Sequence, residues 1–337
     1  MSGGRGKKTL NKTGFFRYCY RKENRQSLCL LLIVSLLYLI VRIAVISDFG
    51  LFCDEAFYLH WASRMNAHPS SWFLSLEVGK YPVFIWLLRL AMLFISDPLI
   101  AGRLVSIFFG LFAMLGLFSL GLIFFNYRTG IIAALLYIVF PLAFVHDRMT
   151  LFETPLNAFM IWGLVLLLWI FRERKFDHNA IDALAVMCVG AFCFKMTGYY
   201  LAVFAPVAFL LYAPHVKKKN VLPAIVLLAM TPIIVYSIFS FPSRMAHLDQ
   251  NVFMEFNLKL LLPHSSSGFP AVQWKNNFLT IFDYLVKYWG APAFFLAVWG
   301  WINLVYIHRW RDGWFLLLWT LGPVLFFIFF GRIIFYR

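Results

Sequence analysis

The sequence predicts an all-α protein, a polytopic bundle of transmembrane helices, and three observations predict it. Of the 337 residues 62% are apolar and 13% charged, and the mean hydropathy is +0.78. That leaves too little polar surface to cover a water-soluble globule. Apolar runs of near-spanning length recur along the chain, and clusters of Lys and Arg separate them.

Eight basic residues stand against the single acid Glu23 in residues 1–27, which therefore read as a cytoplasmic basic tail. Residues 28–337 read as one transmembrane domain. Its first apolar run, 28–46, is about 28 Å long as a helix, enough for the hydrocarbon layer, and it reads as an uncleaved anchor because no small-residue cleavage site follows. Further runs lie at 101–125, 130–146, 155–171, 181–194, 198–213, 221–240, 286–307 and 314–330, so about nine spans are expected. Residues 81–96 contain Arg89, begin beside Pro82 and would cover only about 24 Å, so they read as an interfacial or re-entrant helix, the alternative being a true span with the charge rule violated downstream.

Basic clusters at Arg128, 172–175, 217–219 and 308–311 fit the cytoplasmic side of such a bundle. Ten of the fifteen acids then fall outside: Asp48, Asp54, Glu55, Glu77, Asp97, Asp147, Glu153, Asp249, Glu255 and Asp283. The outer segments are 48–100, 146–154, a turn around Lys195, a loop at 241–285 and the stretch from Arg332. The five Cys lack paired spacing or flanking His and signal neither metal nor disulfide.

Asp54 and Glu55 adjoin in FCDEAFYLHW, on a short helix expected to lie on the bilayer surface. Adjacent carboxylates at a membrane are costly unless they bind a cation, take a proton or face water, which makes them candidates for a reaction centre. Lys80 follows Gly79 on a predicted turn before Pro82. HDRMTLFETP holds Asp147, Arg148 and Glu153 between two spans, and Lys195 sits where two more meet. Glu153 has an ordinary alternative as a helix-terminal charge ahead of Pro155, and Lys195 as an interfacial cation.

The Asp-Glu pair after the first span, GKYP, Arg103-Leu104 opening the next span, HDRMTLFE, and a lysine between two short spans together resemble the GT-C membrane glycosyltransferases. Within that class the chain looks like the branch of protein O-mannosyltransferases and the lipid A aminoarabinose transferase. The resemblance covers most of residues 28–213. It implies a GT-C-like bundle that moves a sugar from a polyprenyl-phosphate donor to a lipid, glycan or protein acceptor on the outer face of the plasma (inner) membrane, as in cell-envelope glycosylation. It implies Asp54 as the acid-base residue, Glu55 as its support or a metal ligand, and Lys80 at the donor phosphate. Glu153 stands where the family usually has Asp, with Asp147 beside it as the other candidate for the second acidic position. Relatives of this class usually continue with more spans, so the expectation includes a C-terminally shortened chain.

The chemistry reads the same way from physical grounds. A phosphate leaving the sugar gains negative charge, which Lys80, Arg148, Lys195 or Arg337 could stabilise. Asp54 would take the acceptor's proton, and direct displacement would invert the anomeric carbon. A divalent metal, held by Glu55 and His264, is the candidate cofactor. The loop around His264, with Gly268, Phe269, Pro270 and Trp274, suits a mobile cover. A transporter or lipid flippase is the rival reading, but the acids cluster at span ends and the two halves show no repeat. Nucleic acid is not an expected partner.

Overall fold

The computed structural model describes residues 25–65, 69–173, 178–212, 222–245, 271–289 and 291–330. Among these every regular element is helical. The first helix, α1 (Arg25–Ile43), leads to α2 (Cys53–Arg64), a 3₁₀ segment (Pro69–Val78) and α3 (Val83–Ala91). Nine residues make α3 about 14 Å long, short of a bilayer crossing, as its charge and its proline suggest. The long α4 (Pro98–Phe124) begins where Asp97 accepts from the amides of Leu99 and Ile100 at 2.8 and 3.1 Å, with Pro98 in the first turn. Asn126 ends the connection by accepting from the Thr129 amide, and α5 (Tyr127–Val139) returns along α4.

A single span was expected over 130–146, yet α5 stops at Val139 and a separate α6 (Pro141–His146) follows. Pro141 has no amide to continue the ladder and fits the first position of a new helix. Then come α7 (Glu153–Glu173), α8 (His178–Phe194), a 3₁₀ turn (Met196–Gly198), α9 (Tyr199–Leu211) and α10 (Leu222–Met245). The remaining helices are α11 (Ala271–Trp289), α12 (Ala291–Tyr306) and α13 (Trp310–Phe330). The loop expected over 241–285 is therefore helical from Ala271, and the span expected at 286–307 is shared between α11 and α12. Helix α11 is amphipathic: exposed Lys275 and Asn276 interrupt it while Asn277 is buried, so no uninterrupted apolar run marks it.

Helix α4 is the hub. It packs on α5 and α7, with α1, α2 and α3 closing one side; α7 passes the packing on to α8 and α9, and α9 to α13. Among the described residues two helices are long and apolar enough to cross a membrane, Pro98–Phe124 and Glu153–Phe171, and there are six shorter apolar helices. Outward-facing Ile40, Phe108, Leu210, Phe295 and Trp299 are each more than 60% exposed, an apolar exterior suited to lipid rather than water.

Candidate active site

Three polar layers sit at the end of the bundle where α2, the α6–α7 connection and the α8–α9 turn converge. The deepest is an ion pair. Arg103, in the first turns of α4, donates from Nε and Nη2 to the two oxygens of Glu55, both at 3.1 Å, and neither side chain is exposed. Its remaining donors reach the carbonyls of Ile46, Phe49 and Gly50. Glu55 also accepts from the amides of Phe52 and Thr150, at 3.1 and 2.7 Å. Expected as a catalytic partner or metal ligand, Glu55 thus has both oxygens taken up in pinning α2 to α4 and to the connection at Thr150. Among the described residues no three His, Cys, Asp or Glu gather as a metal site.

A second layer surrounds Asp147. Tyr38 on α1 and Tyr137 on α5 donate to its two oxygens at 2.9 and 3.1 Å, and Arg42 lies 3.6 Å away. The carboxyl is 2% exposed, and burial pushes its pKa up to about 6 against the pull of Arg42 and the two tyrosines. Arg148, expected at a donor phosphate, is buried on the far side of this layer. It donates to the carbonyls of Phe144 and Val45 and stacks over the rings of Phe49 and Phe144.

The third layer is open. Tyr58, Lys80, Tyr81, Glu153, Lys195 and Thr197 line a cavity of about 100 Å³ closed by Phe152, Phe194 and Met196. Each arrives for a local reason. Gly79 takes φ 70°, which lets the chain turn back so that the Lys80 amide reaches the carbonyl of Ser75 at 2.9 Å. Glu153 opens α7 and Lys195 follows the last residue of α8, and their side chains meet at 2.6 Å. Each is about two-fifths exposed, so the pair faces the cavity instead of being locked in the core. Asp54 lies in the first turn of α2, one helical turn before Tyr58 and on its face. Burial first, then the charges of Asp54 and Glu153, raise the pKa of the Tyr58 hydroxyl. That hydroxyl stays protonated and can donate a hydrogen bond.

Of the residues expected from the sequence, Lys80, Glu153 and Lys195 come together, with Asp54 beside them through Tyr58. Glu55, Asp147 and Arg148 lie in the buried layers instead. Arg337 and His264, together with the loop around His264, lie outside the described residues. Sequence reasoning passed over Tyr58 and Arg42. The spacing of Tyr58 four residues after Asp54 was the available signal for the first, and a cation inside an apolar run was the signal for the second.

Residues 79–240 match the family model described as dolichyl-phosphate-mannose-protein mannosyltransferase, of the GT-C type. Lys80, Arg148, Glu153 and Lys195 fall inside the matched stretch, and Asp54 and Glu55 precede it. No curated protein matches the chain.

Proposed function

We propose that this chain, whose residues 79–240 match the dolichyl-phosphate-mannose-protein mannosyltransferase family model, is a membrane glycosyltransferase of that kind, and that it draws on a polyprenyl-phosphate sugar and delivers the sugar on the outer face of the membrane. The observation that carries this reading is the convergence of Lys80, Lys195, Glu153 and Tyr58, from four separate segments, on one small cavity.

Lys80 and Lys195 hold the donor phosphate, with Tyr58 as a neutral hydrogen-bond donor. An acceptor hydroxyl oxygen attacks the anomeric carbon and forms the new C–O bond. The bond from that carbon to the phosphate oxygen breaks, and its electron pair leaves on the phosphate. Asp54 takes the hydroxyl proton, and the configuration at the sugar inverts. Fixed cations in a poorly hydrated site stabilise the departing phosphate by several kcal/mol. Glu55, saturated by Arg103, acts by positioning α2, and so carries Asp54 to the cavity. Glu55, one of the two expected metal ligands, has its oxygens engaged by Arg103 and by the amides of Phe52 and Thr150, and no step is assigned to a metal.

The outer-face assignment follows from charge. Nucleotide sugars are cytoplasmic, so a donor that crosses with its carrier suits a transferase whose basic clusters mark the cytoplasmic ends of its spans. The test is transfer from labelled polyprenyl-phosphate sugars by purified protein in lipid. Asp54→Asn should reduce the rate by about 10² to 10⁴ with donor binding retained. An undiminished rate would remove Asp54 from the chemistry.

A further inference from the structure

A second cavity, about 670 Å³, meets the first at Glu153, the one residue among those described that lines both. Part of its wall is α7. Glu153, Asn157 and Ile161 follow at intervals of four and share one helical face, so the lining changes from charged to amide to aliphatic over about 12 Å. Leu117, Leu136, Leu142 and Trp319 complete the apolar walls, and Leu136, 55% exposed on α5, puts one flank on the lipid-facing side of the bundle. The polar end is finished by His146, Asp147 and Thr154. His146 Nδ1 is buried there without a hydrogen-bond partner among the described residues.

Charge distinguishes the two cavities. The first is lined by Lys80 and Lys195; among the described residues that line the second there is no Lys or Arg, and its carboxylates are Glu153, shared with the first cavity and paired to Lys195, and Asp147, whose oxygens already accept from Tyr38 and Tyr137. A phosphate seeks cations and is repelled by carboxylates, so the carrier's head belongs in the first cavity. Hydroxyls are suited to the second, because the Asn157 amide and the His146 imidazole can exchange hydrogen bonds with them.

From these features we infer that the second cavity is the acceptor site and that the acceptor is a lipid: a long apolar chain with a hydroxyl-bearing head and no phosphate next to that hydroxyl. The tail lies along the Ile161 and Trp319 end. The head reaches Asn157, and the hydroxyl passes Glu153 into the first cavity, where it receives the sugar. This deepens the transferase reading and rests on it for the chemistry, but not for the binding.

Photolabelling separates the two claims. Protein in nanodiscs is exposed to a diazirine-bearing long-chain alcohol or to its phosphate monoester, and adducts are mapped by mass spectrometry. The alcohol should label the 133–142 stretch and Trp319. Ala133→Trp, and independently Leu136→Trp, should lower that labelling about tenfold while thermal unfolding stays cooperative and labelling of the first cavity by the phosphate ester persists. Lys80→Ala should do the reverse. If the phosphate ester displaces the alcohol from the second cavity at equal or lower concentration, or the alcohol fails to label it, the acceptor assignment is overturned. Sugar transferred to peptide hydroxyls with no lipid-extractable product would overturn it as well. Failure of the phosphate ester to label the first cavity would instead sink the donor reading, and the alcohol pattern would still decide this one.

Discussion

Glu55 and Asp54 are neighbours in sequence and opposites in circumstance. One helical position separates a carboxylate with every lone pair engaged from one that shares its face with a cavity tyrosine. Replacing Glu55 by Gln leaves the Arg103 guanidinium buried with its counter-charge gone, a loss of about 3–5 kcal/mol. The expected outcome is a lower unfolding midpoint, with donor affinity unchanged in whatever fraction stays folded. Asp147 makes the complementary prediction in pH. Its pKa in the folded protein, about 6, lies above the ordinary value of 3.8, so the folded state binds the extra proton. The stability linked to that proton is present in full below about pH 4 and is lost as pH rises through about 6. Comparing unfolding midpoints of wild type and Asp147→Asn between pH 7 and 5 should show the wild type gaining relative to the variant on acidification. Adjacency drew attention to Asp54 and Glu55 alike in the sequence. It could not divide their roles, because the dividing residue, Arg103, lies 48 positions away and the second partner, Thr150, lies 95 away.

Helix α4 brings these layers together by being thin where they cross it. A Cβ built on Gly110 would lie 2.1 Å from the Tyr38 hydroxyl and 2.5 Å from Asp147 Cγ, so only hydrogen fits. Gly110→Ala is expected to cost at least about 1–3 kcal/mol as the Asp147 layer is pushed off the helix. Gly50→Ala, with nothing within 4 Å, is the neutral control in the same thermal assay. Legibility followed the physical origin of each element. Runs such as α4 and α7 announced themselves through uninterrupted hydropathy, and the turn before Lys80 through Gly79. Helix α11 did not, since its amphipathic pattern lacks a long apolar run, and the break at Pro141 was hidden inside continuous apolarity. The Lys195–Glu153 pair was visible only as two charges at separate helix ends.

At the scale of the molecule the first cavity lies where α2, the start of α7 and the end of α8 meet, and the proposed reaction requires that side to face outward. Cysteine introduced at position 80 and at position 217 should react with impermeant reagents from opposite sides of sealed vesicles. Same-side labelling would break the span parity that puts position 80 outside and would remove the argument for a flipped lipid carrier. The ion pair between Lys195 and Glu153 carries one more implication. In the resting protein the lysine already holds a carboxylate in the place of its phosphate, and the carboxylate is engaged by the lysine. On the proposed reading, arrival of the carrier would break that contact and release Glu153 toward the neighbouring groove. An acceptor bound alone can then occupy its own groove, but its hydroxyl stays short of the first cavity until the carrier has entered.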